Sequence, residues 1–292
     1  MFNKTYFKRG IQYILHGVPT VQKTVNVSIS QLNNDELLKG RTALITGGTS
    51  GIGLAIAQSF VQAGANCIIT GRSIERLEEA QRIICSNTNK TTAVSSCVMN
   101  LRDVPSLSDA FQEALSLSPT NSIDILVNNG GVLQGASFGG TVEEDYDATM
   151  ETNLKGTYFI SQIVAKHMKE KGIKGNILNI ASSSSLRPAN SAYSISKWGI
   201  RGFTLGLARV LTPYDIVVNG IAPGPTATPM LKKEDDNLSH PKSLSGRYIH
   251  PMEVGNMAVV LVSDMSRMVV GDIIYMTGGA GLLTSEDVEF HF

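Results

Sequence analysis

Tyr193 and Lys197 are four residues apart in a segment whose periodicity predicts a helix. Residues with this spacing share one helix face, so a phenol and an ammonium would be neighbours. A phenol titrates near pH ~10, and a nearby cation favours the phenolate and lowers the pKa. The pair could therefore donate a proton to a carbonyl oxygen, or accept one from an alcohol. Many exposed helices carry Tyr and Lys at this spacing by chance, so the surrounding sequence must decide.

A glycine-rich segment, residues 46–53, reads Thr-Gly-Gly-Thr-Ser-Gly-Ile-Gly and joins the first predicted strand to the first predicted helix. Glycines permit a tight turn and a close approach of backbone to ligand, and the free amides at a helix start attract an anion. The segment therefore predicts a site for the pyrophosphate of a dinucleotide. The alternative is a tight turn with only a structural role.

The end of the second predicted strand indicates which dinucleotide is bound. An acid at this place binds the ribose hydroxyls of NAD, whereas an arginine accommodates the 2′-phosphate of NADP. The chain has Arg72 and Ser73 here and no acid before Glu75. We therefore expect NADP(H) to be preferred over NAD(H). The alternative is that Arg72 is an exposed residue at a helix start.

Short apolar runs alternate with longer amphipathic stretches from residue 41 onward. We predict strands at 42–46, 66–70, 93–98, 123–127, 175–180, 216–219 and 272–275, and helices at 53–63, 74–86, 107–117, 144–171, 192–211 and 253–264. The strands are apolar on both faces, as in a parallel sheet covered by helices on both sides. This alternation predicts an α/β fold: one doubly wound Rossmann-type domain over residues 41–292, with about seven parallel strands. Ligands should bind at the carboxyl ends of the strands.

Composition excludes several classes of function. The 292 residues contain 25 Lys and Arg against 25 Asp and Glu, so no net field attracts nucleic acid or an anionic membrane. The three cysteines form no CxxC pair and the five histidines are scattered, so we expect no metal site. Small, neutral molecules are the expected partners.

Residues 1–40 are interpreted as an N-terminal extension. The first 34 contain no acid but four basic residues, and their apolar run is too short for a membrane span. The extension could be a mitochondrial presequence, but we favour a segment packed on the domain or disordered. The expected location is the cytoplasm.

The motifs together resemble those of the short-chain dehydrogenase/reductase family, over about residues 41–279. The glycine segment resembles TGxxxGxG, and Tyr193 with Lys197 resembles YxxxK. Residues 128–131, Asn-Asn-Gly-Gly, are similar to the family's NNAG segment. Asn153 matches a helix asparagine, and residues 223–224 match a Pro-Gly turn.

The resemblance implies a catalytic set of Asn153, Ser182, Tyr193 and Lys197, with Ser183 as the competing serine. Tyr193 would protonate the developing alkoxide while Lys197 lowers its pKa and binds the nicotinamide ribose. Ser182 would hold the substrate oxygen, and Asn153 would hold a water that leads to solvent. Ser182 is eleven residues before Tyr193, a shorter gap than the family commonly shows.

Further residues are expected to contact the cofactor. They are Gly47, Thr49, Ser50, Gly51, Ile52, Gly53, Arg72, Ser73, Asn100, Leu101, Asn128, Gly130, Tyr193, Lys197, Pro223, Gly224, Thr226 and Thr228.

Three segments should shape the substrate site, by resemblance: residues 133–138, residues 186–190 and a lid at about 224–250. Arg187, in the second segment, could bind a substrate carboxylate or phosphate, or be an ordinary exposed loop arginine. We expect a homo-oligomeric, NADP(H)-dependent ketoreductase that resembles a 3-oxoacyl-acyl-carrier-protein reductase. The alternatives are an NAD-dependent polyol, sugar or hydroxysteroid dehydrogenase, and a nucleotide-binding regulatory protein without turnover.

Overall fold

The computed structural model describes residues 36–88, 93–135, 138–231, 238–240 and 243–281. Most of the predicted extension, residues 1–35, lies outside this range. Parts of the predicted lid (232–237 and 241–242) and of the first substrate segment (136–137) also lie outside it.

Seven parallel strands form a single sheet in the order β3-β2-β1-β4-β5-β6-β7, which confirms the predicted fold class. The order reverses between β1 and β4, and this switch point opens a crevice at the strands' carboxyl ends. The strands are β1 Thr42–Thr46, β2 Asn66–Gly71, β3 Val94–Val98, β4 Ile125–Asn128, β5 Asn176–Ile180, β6 Val217–Pro223 and β7 Ile273–Met276.

Helices follow the strands in alternation. They are α1 Gly51–Gln62, α2 Ile74–Thr88, α3 Leu107–Ser116, α4 Glu143–Met150, α5 Thr157–Lys171, α6 Ala192–Leu211 and α7 Pro251–Val262. The prediction of one helix over 144–171 missed an interruption, because α4 and α5 are joined by a π-helical stretch, Glu151–Gly156. At Gly156 this stretch passes so close to the Leu101 backbone that a Cβ would overlap the Leu101 carbonyl oxygen. Such a tertiary contact leaves no trace in hydrophobic periodicity.

Two apolar layers cover the two faces of the sheet. Along β1, Ala43 and Ile45 point into the layer formed with α1, α2 and α7, while Leu44 points into the layer formed with α3, α5 and α6. The period of two along a strand produces this division. Each fully buried Leu, Ile or Phe contributes about 1.5–3 kcal/mol relative to exposure. The sheet and its helices thus form a firm base, with the strand ends free to present functional groups.

Candidate active site

The glycine turn between β1 and α1 is held by the loop that follows β4. Gly47 and Gly51 have positive φ angles of 64° and 54°, which favour glycine. A Cβ at Gly47 would lie 2.7 Å from the Gly130 Cα. Asn129 donates from Nδ2 to the carbonyls of Thr46 (3.1 Å) and Gly47 (2.9 Å). No sequence pattern predicted this bracing role of Asn129.

A cleft of about 1040 Å³ lies over the carboxyl ends of the strands and has the size of a ligand site. Of the residues predicted to contact a cofactor, sixteen line it: Gly47, Thr49, Ser50, Gly51, Ile52, Arg72, Ser73, Asn100, Leu101, Gly130, Tyr193, Lys197, Pro223, Gly224, Thr226 and Thr228. At Gly51 and Gly130 a Cβ would meet Thr228 and Leu101 side-chain atoms at 3.1 and 2.6 Å. Glycine at these two positions avoids a clash and leaves backbone in the cleft lining, which suits a bound pyrophosphate.

Gly53 and Asn128 are not among the residues that line the cleft, and their contact with a cofactor stays a prediction. A Cβ at Gly53 would overlap the Gly47 carbonyl oxygen, so this glycine serves the packing of α1 against the turn. Asn128 is buried and donates from Nδ2 to Ser161 Oγ and Asn179 Oδ1, both at 2.8 Å. Its side chain points away from the cleft and joins β4 to β5 and α5.

The charge of the cleft is one-sided. Among the described residues, its lining includes Arg72, Arg76, Arg187 and Lys197 but no Asp or Glu. The chain as a whole is neutral, so the positive charge is concentrated here. A cleft lined by one sign of charge attracts ligands of the other sign.

Two of these arginines, Arg72 and Arg76, lie between the end of β2 and the first turn of α2. The sequence indicated Arg72 but not Arg76, which comes four residues later, in the first turn of α2, and also lines the cleft. Ser73, between them, donates to Glu75 Oε2 at 2.6 Å, and this bond lowers the pKa of Glu75. Glu75 itself is not part of the described cleft lining.

Tyr193 is the second residue of α6, where a capping box fixes the helix start. Ser191 accepts from the Ser194 amide at 3.2 Å, and Ser194 Oγ accepts from the Ser191 amide at 3.1 Å. Burial raises the pKa of Tyr193, and a hydrogen bond from the Ser182 side chain lowers it by a smaller amount. The phenol therefore remains protonated at neutral pH, as a proton donor must.

Lys197 is buried, and its Nζ donates to the Ile180 carbonyl at 2.8 Å. Nζ lies 5.7 Å from the centroid of the Tyr193 ring. Burial lowers the pKa of Lys197 to about 8. Burial therefore has the largest effect on the pKa of both groups, raising that of Tyr193 and lowering that of Lys197, and the lowering of the Tyr193 pKa by Lys197 stays a prediction.

The serine run after β5 has one member that affects the pKa of Tyr193. Ser182 and Ser183 both line the cleft, but the Ser182 side chain is the one that lowers the Tyr193 pKa. Ser182 also caps the short 3₁₀ helix Ser183–Leu186 by accepting from the Ser184 amide at 3.1 Å. Its position at a strand end and at a helix cap holds the hydroxyl in place despite the short loop to Tyr193.

Asn153 lies behind the cleft, not in its lining. Its Oδ1 accepts from the Val132 amide at 2.8 Å, and its Nδ2 donates to the Val132 carbonyl at 2.9 Å and to Ser196 Oγ at 3.2 Å. Ser196 Oγ in turn donates to the Tyr193 carbonyl at 2.7 Å. The side chain thus ties the loop after β4 to α6. The catalytic role expected for Asn153, the binding of a water, stays a prediction.

Comparison with known proteins matches residues 41–239 to the short chain dehydrogenase family. The chain belongs to this family. It is 35% identical to the 3-oxoacyl-(acyl-carrier-protein) reductase FabG of Aquifex aeolicus, over 83% of this chain and 98% of that protein. It is 32% identical to a 3alpha-hydroxysteroid dehydrogenase of Mediterraneibacter gnavus, over 84% and 98%.

A solved structure supports the same membership. The 3-ketoacyl-(acyl-carrier-protein) reductase of Brucella melitensis, complexed with NADH, is 28% identical with a TM-score of 0.74, over 84% of this chain and 100% of that one. This short-chain dehydrogenase is therefore an oxidoreductase that uses a nicotinamide cofactor. In the part of the chain that the structure describes, no helix is long and apolar enough to cross a membrane.

The buried lysine makes the stability of the protein depend on pH. The unfolded chain keeps the Lys197 proton until about pH 10.4, whereas the folded chain loses it near pH 8. Between these values the unfolded state binds more protons, so stability rises with pH. We expect the free energy of unfolding, wild type minus Lys197→Met, to rise by about 2 kcal/mol from pH 7 to pH 10.

Urea denaturation at several pH values measures this difference. Lys171→Met, at an exposed lysine, is the control and should give a difference that changes little with pH. A difference for Lys197→Met that is equally flat would contradict the buried-charge interpretation.

Proposed function

We propose that this short-chain dehydrogenase is an NADP(H)-dependent carbonyl reductase, acting on a ketone such as a 3-oxoacyl thioester and reversibly on the secondary alcohol. The observation that carries the proposal is the convergence of Ser182, Tyr193 and Lys197 on one wall of an acid-free cleft. The reductase activity of the Aquifex relative supports the thioester class. An NAD-dependent polyol, sugar or hydroxysteroid dehydrogenase is the alternative, and the Mediterraneibacter relative supports its steroid form.

The chemistry follows from what each side chain can do. A nicotinamide cofactor held in the cleft would supply the hydride for the carbonyl carbon. Tyr193 donates its hydroxyl proton to the carbonyl oxygen, which completes the alcohol. Ser182, which lines the same cleft, donates a hydrogen bond to the same oxygen and fixes its position.

Lys197 acts through space as the phenol loses its proton. Its ammonium is 5.7 Å from the Tyr193 ring and shielded from water, so its attraction for the forming phenolate is little screened. We propose that Asn153 contributes by positioning, since it connects the Val132 loop to Ser196 and so to the turn that carries Tyr193.

NADPH oxidation with a panel of ketones tests the proposal. The panel includes a 3-oxobutanoyl thioester of N-acetylcysteamine, a cyclic polyol-derived ketone and a 3-oxosteroid. We expect turnover with at least one ketone, and a fall in kcat of about 10²- to 10⁴-fold in Tyr193→Phe because the proton donor is lost. NADPH binding by fluorescence should persist in this variant, which separates loss of chemistry from loss of folding.

A regulatory protein without turnover would give a different result. NADPH would bind, no ketone would be reduced, and Tyr193→Phe would change nothing measurable. Absence of both binding and turnover would remove the enzyme proposal altogether.

The preference for NADP(H) is proposed from Arg72 and Arg76 at the end of β2. Two guanidinium groups with no acid in the adjoining cleft lining suit a 2′-phosphate, which charge-assisted bonds stabilise by about 1.5–3 kcal/mol each. We expect Arg72→Ala or Arg76→Ala to raise the Kd of NADPH about 10- to 100-fold while the Kd of NADH changes little. Arg82→Ala, on α2 but paired with Glu79 outside the cleft, is the matched control. Equal loss for both cofactors would contradict the phosphate assignment.

We also propose a homo-oligomer built on α5 and α6. Tyr158, Leu205 and Val210 are large apolar side chains that are about half exposed on these helices. Gly202 and Gly206 on α6 have no described atom within 4 Å of the position that a Cβ would take, so a second backbone could approach closely. We expect Leu205→Arg to convert the assembly to monomers in sedimentation equilibrium. A monomeric wild type at micromolar concentration would contradict this proposal.

The catalytic domain is proposed to comprise residues 41–292, with residues 1–40 as an extension and the cytoplasm as its location. The basic, acid-free composition of the first 34 residues motivates the mitochondrial alternative. Determination of the mature N-terminus in cells decides between them, because removal of the extension would indicate a presequence.

A further inference from the structure

Arg187 is a cation of the cleft that the proposed function does not use. Arg72 and Arg76 lie at the end of β2, and Lys197 lies at the phenol, whereas Arg187 follows the serine turn on the substrate side. Resting on the proposed carbonyl reduction, we propose that Arg187 binds the carboxylate of a short oxo acid, whose ketone lies at Ser182 and Tyr193.

The backbone of Arg187 is held on both sides. Its amide donates to the Ser184 carbonyl at 3.3 Å, and its carbonyl accepts from Trp198 Nε1 at 2.8 Å. Arg201 braces the same turn by donating to the Ser185 carbonyl at 3.1 Å. A positioned backbone lets a long side chain bind with a smaller entropy cost.

The guanidinium of Arg187 has no acidic partner among the described residues. Four other arginines there are paired with carboxylates, namely Arg82, Arg102, Arg247 and Arg267, whereas Arg187 shares its lack of such a pair with Arg72 and Arg76 of the same cleft. The guanidinium instead lies beside Gly281, where a Cβ would be 3.4 Å from Nε. An arginine that lines a cleft without a carboxylate of its own can bind a carboxylate from a ligand, in bidentate geometry.

The distance from the reacting carbonyl favours a short molecule. Arg187 is five residues after Ser182, and the intervening 3₁₀ turn rises ~2 Å per residue, so their backbones are at most about 10 Å apart. A carboxylate bound there is only a few carbons from the ketone. The phosphates of a pantetheine thioester are much further from its 3-oxo group, so they match this site less well.

Apolar side chains also line the cleft. Leu133, Met230 and Leu231 line the same cleft and are 43–49% exposed, so they offer surface to a short carbon chain. The site thus combines a carbonyl-binding end, an apolar wall and one cation. This combination corresponds to an aliphatic oxo acid.

Matched acid and ester substrates test the proposal. We would measure kcat/KM for 4-oxopentanoate, 5-oxohexanoate and 6-oxoheptanoate and for their methyl esters, with NADPH. We expect at least one acid to exceed its ester by about 10- to 100-fold, the value of a charge-assisted pair. In Arg187→Gln this ratio should fall to about one, mainly through KM, and Arg187→Lys should keep part of it.

Arg209→Gln is the control, at an exposed arginine of α6 outside the cleft, and should leave the acid-to-ester ratio unchanged. Equal rates for acids and esters, or a ratio unaffected by Arg187→Gln, would overturn the assignment while reduction itself persisted. A preference for 3-oxobutanoyl-CoA over its neutral N-acetylcysteamine analogue that depends on Arg187 would overturn it in favour of a phosphate. Failure of the proposed function is distinguishable, because the ketones of the first panel, the oxo acids and the esters would then all remain unreduced.

Discussion

The site depends on a buried ammonium. Lys197 is buried, and burial lowers its pKa to about 8. Its ammonium donates a hydrogen bond to a neutral backbone carbonyl, that of Ile180. Burying a charge costs free energy unless it gains partners, so this lysine weakens the folded state at neutral pH. A positive charge in this position would stabilise the phenolate that forms when Tyr193 gives up its proton. Burial of Lys197 lowers the stability of the fold, but it also keeps water from screening the attraction between the ammonium and a phenolate.

The end of β5 and the start of α6 must therefore stay in register, and several hydrogen bonds serve this requirement. Ser182 lies at the strand end, where it caps a short turn and lines the cleft together with Tyr193. Asn153 and Ser196 connect the loop after β4 to the first turn of α6. Below them, Asn179 donates to Thr204 at 2.9 Å and ties the middle of β5 to α6. A buried network of this kind fixes one geometry because each unpaired member would be costly.

Charge is distributed along the cleft rather than over the molecule. A neutral chain places four cations and no acid on the described walls of one cleft, with arginines at its two ends. The positive field at the β2 end suits a phosphate, and the cation beyond the serine turn suits a second anion. Both features follow from local placement, and net charge alone gave no indication of them.

The sequence by itself determined the repeating β/α order, the glycine turn and the residues proposed for the proton chemistry. These are local patterns: periodicity follows from the geometry of a strand or helix, and positive φ angles at Gly47 and Gly51 need a residue without a side chain. Sixteen of the predicted contacts consequently line the cleft.

Tertiary structure decided what depends on residues distant in sequence. The π-helical stretch includes Gly156, which packs closely against Leu101, and Asn128 turns away from the cleft to bond Ser161. The pKa of Tyr193 is raised because burial outweighs the hydrogen bond from Ser182, whereas spacing alone suggested a decrease. Burial and hydrogen-bond partners are properties of the packed molecule, since each depends on which surfaces meet. The sequence could name the phenol and the ammonium, but only the fold could set the environment in which they act.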